Sequence, residues 1–183
     1  MKKLSLIIAS SVLAFAASAQ GVFSANNNYD YDSGGGVMKS AFVIGLDGLP
    51  LSKATGRVDI RNASDLAFLG GVGEEGKAFF KAGAFTINDI VVPGVPVGGT
   101  ANIFVQVWDS STGATFATAT VKAQGLVAVN SLGGGTTPNA TFAANSNFIG
   151  LTLVDTAPVV PEPSTVALAG LGLVGLLFVA RRK

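Results

Sequence analysis

The strongest constraint on the fold is an alternation of apolar and polar residues in short segments separated by turn-forming sequence. In the segment ANIFVQVW, alternate residues are apolar and fall on one face of a strand, namely Ala101, Ile103, Val105 and Val107. The turn sequence DSSTG follows at 109–113, and ATFATATVKA resumes the alternation at 114–123. This pattern predicts an antiparallel β-hairpin.

The same pattern predicts further strands elsewhere in the body. They are 37–46, 56–61, 77–90 with a break, 126–129 and 148–154. The segments between them are rich in glycine, proline and asparagine, and no helical period is sustained. We therefore expect an all-β fold, a small antiparallel β-sandwich over 37–157. The polar, glycine-rich stretch at 20–36 has little to bury and is predicted to be a flexible lead-in.

The composition narrows the possible functions. The chain of 183 residues has no cysteine and no histidine, so it lacks disulfides, thiolate ligands and the commonest general base. The formal net charge is +1, but between residues 20 and 160 seven Lys or Arg residues stand against ten Asp or Glu. This excess of negative charge argues against a nucleic-acid partner, which requires a basic surface.

No catalytic or metal-binding pattern stands out in the body. Glu74 and Glu75 are adjacent on a glycine-rich loop, which favours a solvated turn. The segment Asp30 to Gly34 resembles the start of a calcium loop, but it lacks the closing bidentate glutamate. A serine nucleophile would need a lysine base, and the body contains no Ser-x-x-Lys. We therefore predict no enzymatic activity, no catalytic residue, no metal and no cofactor.

The first residues have the pattern of a secretory signal peptide. Two lysines precede a short apolar stretch, and Ala17 and Ala19 form an A-x-A cleavage site. The signal is predicted to span 1–19, to be cut by signal peptidase and to leave Gln20 as the first mature residue.

The last residues have the pattern of a membrane anchor. Residues 164–180 carry no charge and, as a helix, would extend about 25 Å, the short end of a bilayer span. A basic cluster follows directly at Arg181, Arg182 and Lys183, and the positive-inside rule places it in the cytoplasm. A proline-rich linker at 158–163 precedes the predicted transmembrane helix and favours extended backbone. The body is therefore expected outside the cytoplasm.

This three-part tail resembles a known sorting signal. Pro161, Glu162 and Pro163, then an apolar helix, then a basic end resemble the PEP-CTERM signal of Gram-negative bacteria. The resemblance implies an exosortase-type processing enzyme as partner and an association with exopolysaccharide and the biofilm matrix. It also implies transient anchoring in the inner membrane, followed by delivery to the cell surface or extracellular matrix.

A second resemblance concerns the body. The segment VIGLDGLPLSKATGRVDI is similar to a strand, turn and strand of carboxypeptidase-regulatory-like and other prealbumin-like β-sandwich modules. This resemblance implies a sandwich fold and carries over no functional residues.

Three aromatic residues with a polar group are candidate ligand contacts, because their rings can stack on sugar faces as well as fill a core. They are Trp108, Tyr29 and Tyr31. For Trp108, packing in the core or at its rim is the favoured role, and the tyrosines are expected to be solvated. The leading hypothesis is a non-catalytic exported surface or matrix protein. The alternatives are a polysaccharide-binding module and a subunit that self-assembles into a surface layer or filament through exposed sheet edges.

Overall fold

The computed structural model describes residues 20–32, 34, 36, 38–70 and 72–157, and nearly all regular structure in these ranges is β. The elements are β1 (Gln20–Asn26), β2 (Asp30–Asp32), β3 (Met38–Ser40), β4 (Val43–Ile44), β5 (Gly56–Asn62), β6 (Lys77–Ala78), β7 (Thr86–Pro96), β8 (Ala101–Asp109), β9 (Val121–Val129), β10 (Ala140–Thr141), the short helix α1 (Phe142–Asn145), β11 (Leu151–Thr152) and β12 (Val154–Asp155). The expectation of an all-β protein agrees with this architecture.

The largest sheet has five antiparallel strands in the order β12-β9-β8-β5-β6. The alternation predicted for β8 is confirmed, because Ile103, Val105 and Val107 are fully buried in the core. Pairing places Val58 of β5 opposite Val107, and Val127 of β9 opposite Ile103. One face of this sheet therefore contributes a continuous set of apolar side chains to the core.

The second sheet corrects the prediction of a flexible lead-in at 20–36. Strand β1 lies in the centre of a three-stranded sheet of order β10-β1-β7, parallel to β10 and antiparallel to β7. Phe23 and Ala25 are fully buried, so apolar contacts and backbone pairing on both sides order this segment. The strands that pair with β1 are distant in the chain, so the local composition of residues 20–36 did not predict that β1 is a strand.

Two small sheets complete the pairing in the described ranges. Strands β2 and β3 form an antiparallel pair, while β4 and β11 pair in parallel. The parallel pair gives the segment after β4 and the segment after β11 the same direction.

Several predicted strand boundaries need correction: 37–46 contains the short strands β3 and β4, β9 begins at Val121 rather than at 126, and 148–154 contains β11 and the start of β12. Two further differences have a physical reason. The hairpin connection between β8 and β9 covers 110–120 rather than 109–113 alone. Thr115 and Thr118 hydrogen-bond each other within this connection, which competes with strand pairing. Strand β7 extends through Pro93 and Pro96, which were predicted to lie in a turn; proline is tolerated there because β7 is an edge strand.

A cluster of phenylalanine rings lies in the core beside the three-stranded sheet. Neighbouring ring centroids are 5.3 to 6.4 Å apart, in stacked, tilted and edge-to-face arrangements. The members are Phe23, Phe79, Phe85, Phe142 and Phe148. The cluster joins β1, the connection between β6 and β7, α1 and the segment before β11. The same core cluster includes side chains of the five-stranded sheet.

Asn27 is a fully buried polar residue that follows β1 directly. Its Nδ2 atom donates to the carbonyl oxygens of Ala41 and Gly83, at 3.1 and 2.9 Å. Its Oδ1 atom accepts from the Phe85 amide at 2.7 Å. One side chain therefore satisfies backbone groups of two other segments that would otherwise be buried without partners.

No helix in the described part of the chain is long and apolar enough to cross a membrane. The predicted signal peptide at 1–19, the linker at 158–163, the transmembrane segment at 164–180 and the basic end at 181–183 lie outside the described residues. They remain predictions from the sequence.

The bonding of Asn27 leads to a prediction about stability. Asn27→Asp keeps the acceptor for Phe85 but replaces two donated hydrogen bonds with a buried charge facing two carbonyl oxygens. We expect the free energy of unfolding to fall by about 3 to 5 kcal/mol. The loss should be larger at pH 7 than at pH 4, because burial disfavours the ionised carboxyl. Urea titration monitored by the fluorescence of Trp108, the single tryptophan, measures it.

The control for this prediction is the neighbouring residue. Asn28 is exposed, so Asn28→Asp should change the free energy of unfolding by no more than about 0.5 kcal/mol. Equal effects of the two substitutions would contradict a bridging role for Asn27.

Candidate functional site

The face of the five-stranded sheet that points away from the core, called the outer face below, concentrates polar and aromatic side chains. Strand alternation places Arg57, Asp59 and Arg61 of β5 on this face. In the paired register, β8 and β9 add Phe104, Gln106, Trp108, Lys122, Gln124 and Leu126. These side chains form three rows across the strands.

The row containing Trp108 is covered at its centre, while Arg57 and Lys122 on either side are partly exposed. Trp108 has no exposed area, and the ring of Phe116 meets it edge-to-face at a centroid distance of 6.2 Å. Gly76, at φ +65°, lies so close that a β carbon there would collide with the indole. The Lys122 ammonium group donates to the Phe116 carbonyl oxygen at 2.9 Å. The connection at 110–120 and the loop ending at Gly76 thus cover this end of the outer face.

The middle row is a polar ladder across three strands. Asp59, Gln106 and Gln124 stand opposite one another in register. Gln106 Nε2 donates to Gln124 Oε1 at 2.6 Å. The carboxylate of Asp59 forms an ion pair with Arg61 at 3.2 Å, and the guanidinium of Arg61 lies 4.0 Å from the ring centroid of Phe68. The planar guanidinium can stack on an aromatic ring and bind a carboxylate at the same time.

Three buried polar atoms on the outer face have no hydrogen-bond partner among the described residues. They are Asp59 Oδ1, Gln106 Oε1 and Trp108 Nε1. Two are acceptors and one is a donor, and they belong to adjacent rows of the sheet. Unsatisfied groups of this kind carry an energetic cost in the folded state.

The electrostatics of Asp59 follow from its burial. Removal from water raises the pKa of Asp59, and the Arg61 charge and its hydrogen bond oppose this without cancelling it. Because Asp59 is fully buried, a solute cannot reach its carboxyl group in this conformation. Asp59 therefore forms its ion pair with Arg61 beneath the outer face, and its carboxyl group is not accessible as an acid or base.

The third row is open to solvent and, with its neighbours, defines what we call the open patch. Arg61 and Phe104 are half-buried, and Leu126 is 59% exposed. The patch comprises Arg61, Phe68, Asn102, Phe104, Gln124 and Leu126. Amide groups lie here beside aromatic and aliphatic surface, at the end of the sheet away from Trp108.

The three aromatic residues singled out in the sequence lie in different surroundings. Trp108 is covered on the outer face, so its ring is not available to a surface ligand. Tyr29 packs against the core, and its hydroxyl donates to the Phe148 carbonyl oxygen at 2.6 Å. Burial raises the pKa of Tyr29, and a hydrogen bond with Ser146 opposes the rise. Tyr31 lies in β2 and also packs against the core. The structure does not combine these residues into one surface.

The remaining acidic residues do not form a reactive centre in the described part of the chain. Glu74 and Glu75 are exposed on their loop. Burial raises the pKa of Asp109, but hydrogen bonds from the hydroxyl and amide of Ser111 and from Thr55 bring it below its ordinary value. Within the described ranges no three metal-ligating side chains come together.

Sequence reasoning did not identify the open patch or the polar ladder. A signal existed in GRVDIRN, where Arg57, Asp59 and Arg61 alternate with apolar residues and therefore share a face. The partners of these residues depend on the register of three strands, which no local pattern specifies.

Comparison with protein families finds the PEP-CTERM protein-sorting motif at residues 159–183. The match includes Pro161, Glu162 and Pro163 and the basic end, and the chain therefore carries this sorting signal. The motif implies export, a membrane-anchored sorting signal and an exosortase as processing partner. Comparisons with curated proteins and with solved structures give no match. The resemblance of the body to prealbumin-like modules is not confirmed.

The burial of Asp59 predicts a dependence of stability on pH. An aspartate with a raised pKa binds its proton more tightly in the folded state, so its contribution to stability is present at low pH. That contribution is lost as the pH rises from the ordinary aspartate value through the raised one. Asp59→Asn removes the titration. The variant should therefore gain stability relative to the wild type between pH 4 and pH 7 in urea titrations.

The matched control is Asp65→Asn. Asp65 is exposed, and asparagine keeps the acceptor that its Oδ1 offers to the Ala67 amide. The lowered pKa of Asp109 acts in the opposite direction in every variant and cancels in the comparison. If Asp59→Asn and Asp65→Asn show the same pH dependence, burial of Asp59 has no energetic consequence.

Proposed function

We propose that the protein is a non-catalytic component of the cell surface or extracellular matrix, with a β-sandwich body that the PEP-CTERM tail delivers. The observation that carries the proposal is the sorting motif at residues 159–183. Such a signal determines where a body is sent, and the association of PEP-CTERM signals with exopolysaccharide and biofilm supports a destination in a matrix of sugars.

The chemistry of the body supports a role without catalysis. The chain has no histidine or cysteine, and the carboxyl group with a raised pKa, Asp59, is fully buried. Acid–base catalysis needs a titrating group within hydrogen-bond reach of the substrate. The hydrogen bond between Gln106 and Gln124 instead helps to fix the register of β8 and β9.

Processing of the tail gives the first test. In native cells that contain an exosortase, the released protein should have a mass that begins at Gln20 and ends before residue 164. Intact-mass spectrometry of cells and culture medium measures both ends. Recovery only of a form that retains Arg181, Arg182 and Lys183 would contradict release and would favour a permanently anchored protein.

A second candidate function is binding of polysaccharide by the open patch. Sugar rings offer apolar faces and many hydroxyl groups, which match aromatic surface flanked by amides. Phe104 and Phe68 supply the rings, and the exposed Asn102 and Gln124 supply donors and acceptors. This surface replaces Trp108, Tyr29 and Tyr31 as the candidate contact, because Trp108 is fully buried and the two tyrosines pack against the core.

Calorimetry against the exopolysaccharide of the native organism tests this second function. Phe104→Ala should weaken binding by about tenfold, or about 1.4 kcal/mol, because it removes the central ring of the patch. Phe80→Ala is the control, since Phe80 is 41% exposed and lies outside the patch. Absence of any binding heat with the wild-type protein, or equal losses in both variants, would exclude the open patch as a sugar site.

Edge-to-edge self-assembly is not part of the proposal. The edge strands β6, β10 and β12 are two residues long, and the longer edge strand β7 carries Pro93 and Pro96. Short edges and prolines are the devices by which sheets avoid pairing with other chains.

A further inference from the structure

The end of the body from which the tail departs is well defined. Asp155 of β12 pairs with Val121, and the Thr156 amide and hydroxyl both donate to the Thr120 carbonyl oxygen, at 2.7 and 2.8 Å. The last described residue, Ala157, therefore lies where β9 begins and β8 ends. We call this the tail end of the body, and the opposite end of the five-stranded sheet the far end.

A turn with two exposed leucines lies at the tail end. Leu46 is 57% exposed and Leu49 is 62% exposed. The turn follows β4, which runs parallel to β11, so the turn and the tail leave their strands in the same direction. The turn also lines, together with Val121, a depression of about 370 Å³, which places it beside the point where the tail departs.

The turn is held in one conformation although its leucines are exposed. The Gly45 amide donates to the Leu49 carbonyl oxygen at 2.8 Å, and the Leu49 amide donates to Asp47 Oδ1 at 3.0 Å. Gly48 has φ +75°, a conformation that favours glycine. The leucines are therefore presented outward at little further cost in backbone entropy.

The sorting signal limits how far this turn can be from the membrane. Six residues separate Ala157 from Ser164, where the predicted span begins, and the seven extended residue steps between them cover at most about 25 Å. While the tail is anchored, the tail end of the body thus stays within a short distance of the lipid surface.

We propose that the turn at residues 45–50 is a membrane contact of the anchored protein, with Leu46 and Leu49 inserted at the boundary between lipid headgroups and acyl chains. The proposal rests on the membrane-anchored tail of the proposed function. The charged side chains nearby include Asp47, Asp109 and Asp155 alongside Lys53, Arg57 and Lys122, so charges of the two signs balance at this end. The contact is therefore apolar and does not depend on anionic lipid.

The contact should exist only while the tail holds the body at the membrane. Two leucines bury little apolar surface, and a short linker supplies the high effective concentration that makes such a weak contact form. Removal of the tail would then release the body without a further signal.

The absence of cysteine allows a direct test. Full-length Leu49→Cys, labelled with a polarity-sensitive fluorophore, is reconstituted into vesicles of phosphatidylethanolamine and phosphatidylglycerol. Leu66→Cys is the matched control, because Leu66 is 53% exposed but lies at the far end, next to the last residue pairs of β5. We expect quenching by lipids with a quencher on the acyl chain to be at least threefold stronger at residue 49, and unchanged in vesicles without phosphatidylglycerol or in high salt.

Other outcomes separate the two proposals. Equal quenching at residues 49 and 66, in protein that resists alkaline extraction from the vesicles, would overturn the contact and leave the anchor intact. Extraction of the protein by alkali would overturn the anchor and the contact together. Protection of residue 49 that persists in detergent and rises with protein concentration would identify a second copy of the chain as the occupant, and would also overturn the membrane contact.

Discussion

Burial of five phenylalanine rings in one cluster holds together segments that are far apart in the chain. The cluster joins β1 to α1 through stacked rings of Phe23 and Phe142, at a centroid distance of 5.9 Å. At the border of the same region, the Asn27 side chain hydrogen-bonds backbone groups of residues 41, 83 and 85, where water is excluded. Without cysteine the chain has no covalent link between these segments, and their association depends on such packing.

The two halves of the outer face differ because different connections cover them. Near the tail end, the indole of Trp108 fills the space below Gly76 and beside Phe116, and solvent is excluded. Toward the far end no described residue covers Phe104 in this way, and Leu126 remains largely exposed. The polar ladder of Asp59, Gln106 and Gln124 lies between the two halves, as the row of side chains next to the exposed one. The proposed polysaccharide-binding surface is this accessible half of the outer face.

The sequence was most informative where structure depends on neighbours along the chain. The alternation at 101–108 predicted both faces of β8, and the tail motif was recognisable from its local order of proline, apolar and basic residues. It was least informative where partners are remote. β1 is a strand because β7 and β10 pair with it, and β9 begins late because Thr115 and Thr118 bond each other while Phe116 packs on Trp108. The grouping in the open patch depends on strand register in the same way.

The position of β1 also has a consequence for the timing of folding. Phe23 pairs with Ile90 and Ala140, so β1 can pair with β7 once residue 96 is present, but it gains its second neighbour, β10, only when residues from the last third of the chain are present. Contacts between such distant segments form slowly, because a long loop must close before any of them is gained. A chain threaded across a membrane from its amino terminus could therefore complete the three-stranded sheet only after residue 141 had emerged. The topology itself would delay this last pairing until most of the body had crossed.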